Sequence, residues 1–94
     1  MKKTFSLTHE KIKYPRMIEA AKHEVKKYLK RERNKPLAEG ADFWDFDCRY
    51  GADENNAQTI HTAQISNCID DAEKLELSSF YLEILAKPGY KTKK

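Results

Sequence analysis

The stretch FWDFDCRY, residues 43–50, decides the fold, because aromatic or apolar side chains alternate in it with mostly charged ones. Successive side chains of a β-strand point to opposite faces of a sheet, so the alternation predicts a half-buried strand that ends at Gly51. One face of this strand is predicted to belong to the core, and it consists of Trp44, Phe46, Cys48 and Tyr50.

Two elements are predicted before this strand. Residues 3–8 alternate in the same way, which predicts a strand with Phe5 and Leu7 facing the core. From Pro15 to about Arg33, apolar residues recur at helical spacing, and no glycine or further proline interrupts them. Proline is favoured in the first turn of a helix, so we expect a long amphipathic helix there.

Three elements are predicted after the central strand. A turn rich in Asp, Glu and Asn leads to a weaker strand at 57–63, which closes a hairpin. Ser66 is the predicted N-cap of a second, shorter helix. The run SSFYLEILA, residues 78–86, predicts a last strand that is stopped by Pro88 and Gly89.

The resulting order, β-α-β-β-α-β, predicts an α+β fold of the ferredoxin-like sandwich type. In that fold a four-stranded antiparallel sheet carries both helices on one face. A chain of 94 residues fits one such domain. We expect the domain to span residues 1–88 and residues 89–94 to form a flexible, basic C-terminal tail.

The net charge of +3 conceals a strong segregation of charge along the chain. Residues 1–37 carry 12 Lys or Arg against 4 Asp or Glu, a net of +8. Residues 38–86 carry 2 against 11, a net of −9, and residues 87–94 carry 4 Lys. Basic residues clustered on one helix are typical of proteins that bind a polyanion.

Binding of a polyanion by the first helix, together with the tail, is therefore our leading functional prediction. We expect a non-enzymatic module that binds the backbone of RNA or DNA, or another polyanion, because Lys and Arg attract phosphates largely without reading bases. A solvated, lysine-rich helix exterior is the alternative interpretation of the same residues. The predicted contacts are Lys22, Lys26, Lys27, Lys30, Arg31 and Arg33.

A second hypothesis concerns the open face of the sheet, where strand parity places polar and charged residues. Carboxylate and imidazole ligands suit a divalent ion such as Mg, Mn or Zn, so a metal-dependent or acid–base enzyme is an alternative function. A solvated sheet face without a cleft is the simpler interpretation, and we expect no cofactor. The four residues of this hypothesis are Asp45, Asp47, His61 and Glu83. The whole predicted face comprises Thr4, Ser6, Asp45, Asp47, Arg49, His61, Tyr81, Glu83 and Leu85.

A third hypothesis is a protein-interaction module whose basic and acidic segments pair between subunits or recruit a charged partner. The sequence does not specify an oligomeric state. RNA recognition by base stacking on the sheet is disfavoured, since only Tyr81 and Phe43 are aromatic candidates on that face. Cys48 and Cys68 form neither a disulfide framework nor a CxxC pair, so we interpret both as structural thiols.

The cellular location is predicted from the lack of a membrane-spanning run and of a signal peptide, and from the few cysteines. No apolar run approaches the roughly 20 residues that a membrane span needs, and MKKTFSLTHEK has no apolar region typical of a signal peptide. With only two cysteines, a reducing compartment is the simplest interpretation. We therefore expect a cytoplasmic protein with no membrane partner.

Four blocks of the sequence together resemble a family of small bacterial proteins, about this long, that are classed as uncharacterised. The resemblance covers nearly the whole chain, and the four blocks are MKKTFSLTHEKIK, PRMIEAAKHEVKKYLKRERNK, FWDFDCRYGA and FYLEILAKPGYKTKK. The resemblance implies a cytosolic bacterial protein. It implies no activity, substrate, cofactor or functional residue.

Overall fold

The predicted order of elements is confirmed by a computed structural model, which describes residues 1–91. A short 3₁₀ turn, Thr62–Gln64, precedes the second helix. The elements are β1 (Lys2–Ser6), α1 (Tyr14–Arg33), β2 (Phe43–Gly51), β3 (Gln58–Ile60), α2 (Ile65–Lys74) and β4 (Ser79–Gly89).

The sheet has four strands in the order β1-β4-β2-β3, and each neighbouring pair is antiparallel. Strand β4 lies between β1 and β2, and β2 lies between β3 and β4, so each β-α-β unit is split by a strand of the other. The protein is therefore an α+β sandwich, ferredoxin-like in its order of elements, with β2 and β4 at the centre. The longest pairing joins these two strands, from Phe43 opposite Gly89 to Gly51 opposite Tyr81.

Both helices cover the same face of the sheet, as the parity of the strands predicts. Phe46 and Cys48 of β2 are buried, while Trp44 and Tyr50 are half-buried at the border of the core. One continuous cluster joins them to the apolar stripes of the two helices. Its buried members are Phe5, Leu7, Ile18, Ala21, Val25, Phe46, Cys48, Ile65, Ile69, Ala72, Phe80, Leu82 and Ile84.

Helix α1 begins one residue before the predicted start and ends at the predicted Arg33. Pro15 lies in its first turn, where an amide hydrogen would have no helical acceptor. Basic residues fill its last turn, where they interact favourably with the negative end of the helix dipole. Trp44 then fixes the following loop, since its Nε1 donates to the carbonyl of Lys35 at 2.8 Å.

The start of α2 differs from the prediction, because Ser66 is not the N-cap. His61 ends the hairpin instead, and its Nδ1 accepts a hydrogen bond from the amide of Ala63 at 3.1 Å. The side chain of Gln64 accepts from the amide of His61 at 2.7 Å, which completes a capping box for the 3₁₀ turn. The chain is therefore already helical before Ser66, and strand β3 is only three residues long.

The end of α2 is a Schellman motif built on a non-glycine residue. The amide of Leu77 donates to the carbonyl of Ala72 at 3.1 Å, and that of Glu76 donates to the carbonyl of Glu73 at 3.0 Å. Glu76 has a φ of 52°, a left-handed conformation that favours glycine. The hydroxyl of Tyr14 lies 3.1 Å from the carbonyl of Ala72 and 2.8 Å from that of Leu77, so α1 is tied to this turn.

Strand β4 continues past the predicted stop and includes Pro88 and Gly89. Its partner β1 reaches only as far as Glu83, so the second half of β4 has a strand on one side only. A proline, which lacks an amide donor, is tolerated where one side of a strand is unpaired. The amide of Lys91 donates to the carboxylate of Asp42 at 2.7 Å, and residues 92–94 of the predicted tail lie outside the described residues.

Replacement of Glu76 by glycine is expected to stabilise the protein by roughly 1 kcal/mol, because the left-handed residue then carries no Cβ. The measurement is the free energy of unfolding in urea. Glu76→Ala is the matched control: it removes the carboxylate but keeps the Cβ, so it should give no such gain. Equal stabilisation by both variants would assign the effect to charge and contradict the backbone explanation.

The stability of the protein is expected to fall at alkaline pH. Burial raises the pKa of Tyr50 from its ordinary 10.0 to about 12. The folded state therefore holds this phenol proton more tightly than the unfolded chain does. The stabilisation is complete below pH 10 and is lost as the pH rises toward 12.

Urea unfolding at several pH values between 9 and 12 should therefore show a shallower decline for Tyr50→Phe than for the parent chain. Part of the decline should remain, since burial also raises the pKa of Tyr14 and Tyr28. The control is Tyr90→Phe, which replaces an exposed tyrosine. Identical slopes for Tyr50→Phe and the parent would contradict the assignment to Tyr50.

Candidate functional site

Helix α1 presents a basic surface because its opposite side is held in the core. Ile18, Ala21 and Val25 are buried against the sheet, so the side of the helix away from this stripe points outward. Five of the six predicted contacts are exposed on the last two turns. We call them the basic surface: Lys26, Lys27, Lys30, Arg31 and Arg33.

Lys22, the sixth predicted contact, is placed differently. Its ammonium group forms an ion pair with the carboxylate of Asp70 on α2. This pair joins the two helices across their outer edge. The charge of Lys22 is therefore partly offset inside the protein, which lowers its expected share in binding an anion.

The two arginines of the basic surface are held by aromatic rings. The guanidinium of Arg31 lies 5.6 Å from the ring centroid of Tyr28, and that of Arg33 lies 5.4 Å from the ring of Phe46. A cation–π contact orients the side chain and leaves its charge in place. Both groups therefore remain able to donate hydrogen bonds to an anion.

The charge of the basic surface is not compensated within the described part of the chain. Glu24 pairs with Lys3, and Glu32 pairs with Lys35, so two of the three carboxylates of α1 are engaged outside the surface. None of the five basic residues forms an ion pair with another described residue. An uncompensated cluster of this kind attracts phosphate groups.

The surface has two flanks. Lys26, Lys30 and Arg33 follow one another at spacings of four and three residues, and together they border a concavity on the outer side of α1. Arg31 lies on the other flank, where it borders a separate concavity with Met1 and Tyr28. Lys27 borders both concavities, between the two flanks.

The open face of the sheet is less solvated than its sequence suggests. Tyr81 is 5% exposed and Glu83 is 7% exposed, although both lie on the face without helices. Glu83 Oε1 accepts hydrogen bonds from the Tyr81 hydroxyl at 2.9 Å and from Arg49 at 3.4 Å. Loss of solvation, and then the adjacent Glu83 carboxylate, raises the pKa of Tyr81.

Arg49 closes this cluster over the hairpin turn. Its other guanidinium nitrogen donates to the carbonyl of Ala57 at 3.1 Å and to that of Glu54 at 3.4 Å. The arginine therefore joins a buried carboxylate to the backbone of the loop between β2 and β3. The interpretation of this face as solvated is wrong at Tyr81 and Glu83, which are both buried, with Glu83 bonded to Arg49.

The four residues of the predicted metal or acid–base site are each engaged separately. Asp45 accepts from the amide of Phe46 at 2.8 Å, and Asp47 forms an ion pair with Lys87 at 2.8 Å. That contact raises the pKa of Lys87. His61 caps the 3₁₀ turn, and Glu83 belongs to the Arg49 cluster. Within residues 1–91, no group of three or more His, Cys, Asp or Glu side chains could hold a metal ion.

The two thiols have the surroundings of structural residues. Cys48 is fully buried, and burial raises the pKa of its thiol. Its Sγ lies 3.7 Å from the Thr62 hydroxyl. Cys68 is half-buried on α2, and burial raises its pKa as well. A raised pKa disfavours the thiolate, which is the reactive form.

The open face of the sheet offers few aromatic rings on which bases could stack. Tyr81 is buried, while Phe43 is exposed and lies over the backbone of Gly89 at the end of the sheet. The carboxylate of Asp45 is also exposed on this face and repels phosphates, whereas that of Asp47 is paired with Lys87. Among the described residues, the exposed cluster of unpaired positive charge therefore lies on α1 and not on the sheet.

The sequence does not reveal the groove that α1 forms with the start of α2. Thr62, Ala63 and Ser66 line its second wall. Ser66 resembles an N-cap in the sequence, and only the earlier start of the helical turns places it on this wall. The pairing of Lys22 with Asp70 has no sequence signal either, because the two residues are 48 positions apart.

Comparisons with known proteins provide a family and no activity. A family model described as "Family of unknown function (DUF6172)" matches residues 1–94. No curated protein matches the chain, and no solved structure matches it. Among the described residues, no helix has both the length and the apolar character required to cross a membrane.

The Arg49 cluster is expected to be structural. Glu83→Gln should destabilise the protein by about 1–2 kcal/mol, since it removes the charge that a partly covered Arg49 requires. The ion pair of Asp47 with Lys87 is more exposed, since the Asp47 side chain is 63% exposed. Asp47→Asn should therefore lower the free energy of unfolding by less than about 1 kcal/mol. Urea unfolding of both variants measures the difference. Equal losses would contradict a structural role that is specific to Glu83.

Proposed function

The chain belongs to the family of unknown function DUF6172, and we propose that it binds the phosphate backbone of a nucleic acid through helix α1. One observation carries this proposal: five exposed Lys and Arg residues lie within eight positions of one helix, without an acidic partner among the described residues. Such a cluster exceeds what solubility requires and matches a polyanion.

The dimensions of the basic surface suit several phosphates. Lys26 and Arg33 are seven residues apart, which corresponds to about 10 Å along a helix. Lysine contributes flexible point charges, and arginine contributes a planar fork that binds phosphate oxygens in pairs. Contacts of this type position a nucleic acid and carry no base information themselves. The proposed binding is therefore largely independent of sequence.

The rest of the molecule directs a polyanion toward α1. Strand β2 exposes Asp45 on the opposite face of the sheet, and α2 exposes Asp71. These carboxylates repel a nucleic acid that approaches from other sides. Just before the predicted tail, Lys87 of β4 is engaged by Asp47, and Lys93 and Lys94 of the tail lie outside the described residues.

The proposal extends to location and to the absence of an enzymatic role. The resemblance of the four sequence blocks supports a bacterial, cytoplasmic protein. The enzyme hypothesis stays a prediction. Residues 1–91 contain no group of three or more metal-binding side chains that would support it. The protein-interaction hypothesis also stays a prediction. It rests on the same segregation of charge along the chain as the proposed function.

Binding is expected to weaken steeply with salt. If about five phosphates are neutralised, the logarithm of the association constant should fall against the logarithm of salt concentration with a slope of roughly −3.5 for a single strand. The charge-removing variant is Lys26→Gln, Lys27→Gln and Lys30→Gln combined, which should reduce the slope by about 2. Fluorescence anisotropy of a labelled oligonucleotide measures both values.

The matched control removes the same number of charges from exposed lysines outside α1. It combines Lys2→Gln, Lys11→Gln and Lys13→Gln. This variant has the same net charge and should keep most of the slope. If both triple variants lose affinity equally, the net charge of the protein binds the oligonucleotide and α1 has no special role. Absence of binding at low salt would reject the proposed function.

A further inference from the structure

The edges of α1 and α2 form a groove that continues from the basic surface. Its volume is about 220 Å³, and it lies beside the turns that carry Lys22 and Lys26. Four apolar side chains form the floor: Val25, Leu29, Ile65 and Ile69. Three of them belong to the buried core, so the floor is set by the packing of the helices on the sheet.

The rim of the groove is polar and positively charged. Lys22 and Lys26 lie along the α1 side, while Thr62, Ala63 and Ser66 form the opposite wall. Asp70 holds Lys22 in place, whereas Lys26 has no acidic partner within the described chain. Ser66 is exposed on that wall. The groove therefore combines an apolar floor with an exposed serine and an unpaired cation, Lys26, at its edge.

We propose that this groove receives one unpaired base of a single-stranded nucleic acid whose phosphates lie along Lys26, Lys30 and Arg33. The inference rests on the proposed function and names its substrate class. It predicts a preference for single strands over duplexes, because the bases of a duplex remain stacked and paired inside the helix.

The size and chemistry of the groove support a base as the occupant. Pockets for drug-sized ligands have volumes of about 300–1,000 Å³, so this groove suits a single ring system and not a whole cofactor. Every base has an apolar face that contacts an apolar floor, and its edge carries donors and acceptors for Ser66 and Thr62. The phosphate of the same nucleotide, attached through its sugar, would reach Lys26.

The direct test fills the groove without changing a charge. Ala63 is exposed and lines the groove, so Ala63→Trp places a large ring in the proposed base position. Anisotropy titrations would use a labelled oligo-dT and a duplex of equal length. We expect Ala63→Trp to weaken single-strand binding by about tenfold or more and to leave duplex binding nearly unchanged.

The matched control makes the same substitution on the other side of α1. Ala20 is also exposed and borders the concavity that contains Arg31, so Ala20→Trp should leave the ratio of the single-strand to the duplex affinity unchanged. If the parent chain binds but Ala63→Trp behaves like Ala20→Trp, the groove proposal is overturned and the proposed function stands. If the parent chain binds neither oligonucleotide at low salt, the proposed function fails and this inference fails with it.

A second measurement needs no variant and decides the case in which Ala63→Trp does not fold. Adenosine monophosphate and ribose 5-phosphate would be titrated into the parent chain while amide chemical shifts are recorded. The nucleotide should shift the amides of Ala63, Ser66 and Ile69, and the sugar phosphate should leave them in place. Equal shifts with both compounds would show a phosphate site without a base and would overturn the proposal.

Discussion

The pairing of β2 with β4 at the centre of the sheet is the interaction on which the other features depend. The register places Phe46 opposite Ala86 and Cys48 opposite Ile84, so apolar side chains of both strands face the helices together. A slip of one residue would turn Asp45 and Asp47 into the core, at a cost that no other contact here offsets. Both helices are positioned by the face that this register creates.

The same packing sorts the charges of the molecule. Because Ile18, Ala21 and Val25 must lie on the sheet, the lysines and arginines of the following two turns are left on the outer side of α1. The carboxylates of β2 lie on the opposite face of the sheet. The two charge types meet at the ion pair of Lys22 with Asp70, which joins the helices beside the groove. A polyanion therefore encounters one basic side with a groove at its margin.

The sequence predicted those features that periodicity encodes. The bounds of β2 and the C-terminal end of α1 agree with the structure, since a period of two and a long apolar stripe each specify an element and its buried face. Ser66 misled the prediction because its capping potential is local, while His61 and Gln64 form the capping box that starts the helical turns earlier. Pro88 misled it because only the sheet shows which side of β4 is unpaired.

In the candidate site, too, some features were predictable from the sequence and others were set only by the tertiary structure. Composition and spacing determined that α1 is basic on its outer side, and five of the six predicted contacts are exposed there. Only the tertiary structure decided that Lys22 is engaged by Asp70, that Arg49 covers Glu83 and Tyr81, and that a groove separates the helices. Periodicity reports which way a side chain points from its own element. Its partner comes from an element distant in the chain, and their separation is set by the packing of the whole fold.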